Sequence, residues 1–215
     1  MLRSAAASLA CALVGLALAA PAAAQPGPRE PVSRFAVDVR GAIARLGQSP
    51  DTAAALGVNP SSLPGRGLGV VVGAHVYPIR QRRWALGVGG EWLTSRASAD
   101  VAAAPGEPAG PTIARRFESL SAQLSLNFGH RNGWSYLSGG VGPLSFDTWN
   151  DADSPDGARA LTLNYGGGAR WFTRPRLAVG FDVRLYATRP SDATLVVGAR
   201  GKQTVMVISV GISVR

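Results

Sequence analysis

Residues 166–186 read Gly166-Gly167-Gly168-Ala169-Arg170-Trp171-Phe172-Thr173-Arg174-Pro175-Arg176-Leu177-Ala178-Val179-Gly180-Phe181-Asp182-Val183-Arg184-Leu185-Tyr186. From Leu177 the alternation is strict. Leu177, Val179, Phe181, Val183 and Leu185 share one face, and Ala178, Gly180, Asp182, Arg184 and Tyr186 share the other. A period of two, with bulky apolar side chains opposite small or charged ones, is the mark of a strand. The segment before it alternates in the same way, so the stretch predicts a hairpin closed by a tight basic turn.

The same grammar recurs outward from this hairpin. Strands are predicted over Arg34–Leu46, Leu68–Ile79, Trp84–Leu93, Leu120–Phe128, Trp134–Phe146, Leu161–Trp171, Leu177–Tyr186 and Gln203–Arg215. The Gly139-Gly140-Val141-Gly142-Pro143 centre of the fifth blurs both faces and predicts a bulge. Arg115, Arg116 and Phe117 do not fit the phase of the fourth and are expected to lie beyond the regular sheet. The connections alternate in length. Gly47–Gly67, Ser95–Pro111, Asp147–Gly157 and Thr188–Gly201 are long; Arg80–Arg83, His130–Gly133, with its Asn-Gly signature, and the turn before Leu177 are short. Eight strands with this asymmetry predict an all-β fold, an eight-stranded antiparallel up-and-down transmembrane β-barrel spanning residues 34–215.

The N-terminus points to export. A basic start at Arg3, an apolar run through Ala20 and a small-residue site before Gln25 predict a signal peptide over residues 1–24. The Pro-rich stretch 25–33 follows as a short linker segment. The single cysteine, Cys11, lies within the leader, so disulfides and thiol chemistry are not expected of the mature chain. The net charge is +9, and Lys202 is the only lysine, so the basic charge is guanidinium. Export argues against a nucleic-acid partner and for a phosphate-rich lipid surface.

Alternation alone does not say which face is inside. A soluble secreted barrel, apolar within and holding a ligand, has the same period. Three features favour the inverted arrangement. The polar face is crowded with Gly, Ala and Ser, as suits the narrow interior of an eight-stranded barrel. Trp84 and Trp92, eight residues apart on the apolar face, would stand about 20 Å apart along the barrel axis, near the height of an apolar band between aromatic girdles. Aromatics also flank all three short turns: Trp84, Phe128, Trp134, Trp171 and Phe172.

On Gly166–Tyr186 and the alternating C-terminal strand Gln203–Arg215, the chain resembles the small outer-membrane β-barrels of Gram-negative bacteria, of the OmpA and OmpX kind. The resemblance implies short periplasmic turns, long extracellular loops, both mature termini in the periplasm, and assembly by the barrel-assembly machinery. Members end in an aromatic residue read by that machinery; this chain ends in Arg215.

The chemistry-bearing residues are few. His130 falls in a turn and His75 faces the interior, and no His-Ser pair stands on the lipid-facing side, so catalysis is not expected. Asp151, Asp153 and Asp156 only loosely echo a calcium loop, with Pro155 intervening, so no metal site is assigned. No cofactor is expected. The inward set carries Asp38, Glu91 and Asp182 with Arg40, Arg170 and Arg184, beside His75. Three acids and three bases balance, and they are expected to form a charge network that plugs the lumen. Arg66, Arg96, Arg115, Arg116, Arg159, Arg189, Arg200 and Lys202 fall near the extracellular strand ends, a rim suited to lipopolysaccharide phosphates. The expected protein is a monomeric, non-catalytic outer-membrane barrel with a structural or surface-interaction role. Its partners would be outer-membrane lipid, lipopolysaccharide and an extracellular partner that the loops do not name. The alternatives are a narrow pore or carrier for small solutes and the soluble ligand-binding barrel.

Overall fold

The structure, a computed structural model, describes residues 31–102, 110–150, 159–188 and 204–215. The strands are β1 (Phe35–Arg45), β2 (Arg66–Arg80), β3 (Trp84–Asp100), β4 (Thr112–His130), β5 (Gly133–Asn150), β6 (Arg159–Arg174), β7 (Leu177–Thr188) and β8 (Thr204–Val214). Each pairs antiparallel with the next, and β8 returns to β1, with Val39 opposite Ile212. Closure removes the sheet edges, so no strand is left with a row of unpaired amides.

The faces follow the alternation, and their polarity is inverted. On the outside, Val39, Val70, Val88, Leu124, Leu163, Phe181 and Val210 are between 40% and 57% exposed. On the inside, the six charged residues of the inward set are exposed by 3% or less. A soluble barrel would have the opposite sign. In the opening stretch, Gly166 and Gly168 share the parity of the inward Asn164 and Arg170, and the β7 backbone comes close to both. A Cβ on Gly168 would run into the Phe181 carbonyl oxygen and lie 2.8 Å from the Tyr136 hydroxyl, and one on Gly166 would run into the Val183 carbonyl oxygen.

Three expectations are corrected. First, β3 and β4 run well past the predicted ends, pairing as far as Asp100–Thr112, so the second long loop spans only 101–111. Arg115, Arg116 and Phe117 lie within β4 and hold its phase, Arg115 and Phe117 inward and Arg116 outward. Phe117 breaks the apolar-outside pattern because it is apolar yet inward. Likewise Asp147, predicted to open the third loop, is still in β5. Second, β5 has no bulge. Its pairing with β4 passes from Ser119–Leu144 to Ala122–Val141 without a change of register, and its pairing with β6 is also continuous. The bulges fall elsewhere, between Val76 and Ile79, where Pro78 has no N–H to donate, and between Phe172 and Arg174. Third, the turn-end aromatics divide. Trp84, Phe128 and Trp171 point outward, as a girdle requires, but Trp134 is 2% exposed and, with Phe172, packs inside.

The first long loop is partly helical. Ser49 caps α1 (Pro50–Ala55), with Thr52 N reaching its hydroxyl, and a 3-10 turn follows over Pro60–Ser62. Residues 151–157 of the third long loop, 189–201 of the fourth, and the leader lie outside the described residues.

Candidate functional site: a charged interior between apolar clusters

The interior is stacked in tiers along the barrel axis. At the turn end, Val32, Ala36, Tyr77, Ala85, Trp134 and Tyr136 form an apolar cluster, with Phe172 against it. Tyr77 meets Trp134 edge-on at 6.0 Å, and Phe172 stacks on Trp134 at 5.0 Å. Val32, from the segment before β1, is fully buried there.

The charged tier sits above this cluster. Asp38 on β1 takes a two-toothed contact from Arg170 on β6, Nε to Oδ1 at 2.8 Å and Nη2 to Oδ2 at 2.5 Å. Ser213 donates to the same carboxylate, and His75 Nδ1 lies 4.0 Å from it. The Arg170 guanidinium also covers the Tyr136 ring at 4.4 Å. Arg40 on β1 reaches Glu91 on β3 at 2.5 Å and Asp182 on β7 at 3.5 Å. Arg184 on β7 lies 3.3 Å from Glu91 and 3.2 Å from Asp182, and donates to Gln123, Asn164 and Ser138 at 2.7–2.8 Å. The hydroxyls of Tyr136 and Tyr186 donate to Asp182 and Glu91. Each carboxylate meets at least one guanidinium, which offsets the heavy desolvation cost of burying charge. All seven residues expected of the interior stand in this tier.

A second apolar cluster lies on the loop side of the tier. Phe117 meets Phe146 at 5.7 Å and Tyr186 at 5.4 Å, both edge-on, among Leu46, Val71, Leu93 and Leu144. Above it, Ala53 of α1 and Leu63 pack on Ile113 of β4. Arg115 fastens this cover. Its Nη1 donates to the carbonyls of Gly47 at 2.8 Å and Pro64 at 3.0 Å, its Nε to Thr148 at 3.3 Å, and its guanidinium lies over the Phe146 ring at 4.6 Å. Arg115, expected on the outer rim, is therefore an inward clamp, 1% exposed.

The remaining rim divides further. Arg66, Arg96 and Arg159 are exposed on outward positions above the apolar band. Arg116 faces outward too, but pairs with Asp147 at 2.9 Å. Arg189, Arg200 and Lys202, like Asp151, Asp153 and Asp156, lie outside the described residues. Arg45 joins this surface. In the sheet register Arg45 stands opposite Arg66, and Arg96 opposite Arg116. Sequence reasoning passed over Arg45, and also Tyr136, Asn164 and Ser213 as partners of the interior charges. For those three interior residues the available signal was parity, which matches that of the charged residues on the same or adjoining strands.

Closed, antiparallel, eight-stranded and apolar outside, the chain has the fold of the small outer-membrane β-barrels. Among solved structures it is similar to Neisserial surface protein A, with 14% identity and a TM-score of 0.56, over 85% of this chain and 97% of that one. It is also similar to Ail, the attachment invasion locus protein of Yersinia pestis, with 14% identity and a TM-score of 0.50, over 84% of this chain and 96% of that one. At this identity the likeness is one of fold. No protein-family model matches the chain, and no curated protein matches it.

Proposed function

We propose that this protein is a monomeric, non-catalytic barrel of the Gram-negative outer membrane, exported by its leader, with a plugged lumen and a structural or surface-interaction role. The observation that carries this reading is the inverted polarity, charge buried within and aliphatic side chains exposed on every strand, which suits lipid as the outer solvent. The long loops face outward, and the short turns and mature termini face the periplasm, where the barrel-assembly machinery acts. The interior chemistry supports a plug over a pore, because two apolar tiers and one ionic tier occupy the bore in series.

The outer rim supports lipopolysaccharide as a partner. Like charges directly opposite on a sheet destabilise it; Arg45–Arg66 and Arg96–Arg116 stand so, and Asp147 offsets only the second pair, through Arg116. Phosphates bridging these guanidiniums would relieve the repulsion. Cell fractionation tests the membrane assignment. The protein should sediment with the outer membrane and leave it only in detergent; release as a soluble protein on osmotic shock would overturn the reading.

A further inference from the structure

The turn end carries a basic mouth that the filled interior does not use. A cavity of about 470 Å³ opens there between the segment before β1 and the three turns. Five arginines line it: Arg34, Arg80, Arg131, Arg176 and Arg215. Across 31–35, 78–84, 128–134, 172–178 and 214–215, the described residues of this end, there are eight arginines and no aspartate or glutamate. The scaffold of the mouth is built. Arg80 donates to the Val32 carbonyl at 3.3 Å. Arg215 donates to the carbonyls of Pro175, at 2.7 Å, and Arg131, while its guanidinium lies over Phe172 at 3.8 Å. Arg34 and Arg176 complete the wall, and no ion pair reaches either among the described residues.

The mouth is amphipathic, and its depth matters. Phe35, 47% exposed on the outer face, is part of its lining. Arg83, Arg131 and Arg174 each lie within three residues of an outward aromatic, Trp84, Phe128 and Trp171. The girdle aromatics sit at the headgroup boundary, so the arginines just beyond them meet the phosphate layer. A guanidinium fork matches phosphate in geometry as well as charge.

We propose that this mouth is a binding site for the headgroup of an anionic phospholipid from the leaflet on the turn side, with phosphate held by Arg34 and Arg176 and the glycerol and acyl portion lying over Phe35. The inference rests on the membrane orientation given above. A free phosphate shares the recognition chemistry but has nothing to place on Phe35.

The test uses the purified protein folded in a non-ionic detergent and read by native mass spectrometry. Short-chain phosphatidylglycerol, phosphatidylcholine and inorganic phosphate are the three probes. Phosphatidylglycerol should bind at least tenfold more tightly than phosphatidylcholine. Arg34→Gln with Arg176→Gln should weaken that binding tenfold or more, while the same charge loss at the other end, Arg66→Gln with Arg96→Gln, should change it less than twofold. Should the first double variant not fold, Arg176→Gln alone, at an exposed turn position, takes its place. Equal binding of the two lipids, or equal losses in both double variants, overturns the site. Displacement of phosphatidylglycerol by an equal concentration of inorganic phosphate overturns the lipid assignment. The membrane reading fails separately, if the protein stays monodisperse and folded without detergent before any probe is added.

Discussion

Arg184 on β7 and Glu91 on β3 meet inside the barrel, Nε to Oε1 at 3.3 Å. In a ring of eight strands these two are on opposite sides, four places apart, so their contact crosses the bore. Glu91 also receives Arg40 from β1 and the Tyr186 hydroxyl from β7. One carboxylate thus joins three strands that share few direct backbone contacts. Removing either partner leaves the other buried with its charge only partly compensated.

The pair should therefore show strong coupling. Glu91→Ala and Arg184→Ala are each expected to cost about 3–5 kcal/mol, the usual penalty for orphaning a buried charge. Their double variant should cost less than the sum, with a coupling of roughly 0.5–3 kcal/mol. Urea unfolding of the barrel in lipid vesicles measures all four corners of the cycle; additive costs would show that the contact is incidental.

The outer face should respond to charge by depth. Val88 lies midway between Trp84 and Trp92 on β3, and Phe181 lies at the middle of β7. Val88→Arg or Phe181→Arg is expected to cost about 2–4 kcal/mol, and Leu161→Arg, two residues from Arg159 at the loop end, about 0–1 kcal/mol. Equal costs at the three positions, in the same unfolding measurement, would argue against a membrane around this surface.

Arg115 should hold the first loop in place. Arg115→Ala removes three charge-assisted hydrogen bonds and is expected to destabilise the barrel by about 1.5–3 kcal/mol. The more specific readout is limited proteolysis of the segment between Gln48 and Leu63, which should be cut faster in the variant. Arg115→Lys should restore little, since a single ammonium lacks the fork that reaches Gly47, Pro64 and Thr148 together.

How much of this was legible in the sequence depended on where apolar and polar residues contrast. Across the apolar band every second residue is bulky and the partner face is small or charged, so the faces of β1, β2, β6, β7 and β8 could be read directly. Beyond the band the contrast fades while the hydrogen-bond ladder continues. Thr94, Arg96 and Ser98 alternate with Ser95, Ala97 and Ala99, a pattern without amplitude, so the ends of β3 and β4 were invisible. Where an apolar tier sits inside, the contrast reverses, which hid the phase of Phe117 and the inward position of Trp134. The charge network was legible as an inward set because an eight-stranded bore brings opposite strands within reach. Its pairing depends on rotamers that no spacing encodes, and the role of Arg115 depends on a loop fold that only the register of β4 reveals.

Orientation follows from the loop asymmetry. An epitope inserted after Gly57, whose positive φ of 66° and open surroundings mark a surface turn, should be labelled on intact cells. The same epitope after Arg82, in the β2–β3 turn, should be labelled only after the outer membrane is breached. Labelling of the Arg82 site alone on intact cells would mean that the barrel is inserted the other way.

The central claim is that the bore is filled by ionic and apolar tiers. Single-channel recording of the wild-type protein in a planar bilayer tests it most directly. The account predicts a quiet trace, without stable open steps across the applied voltages, because Trp134, the Glu91–Arg184 contact and Phe117 lie in series along the bore. A large, persistent wild-type conductance would contradict the plug and assign the protein to the pores.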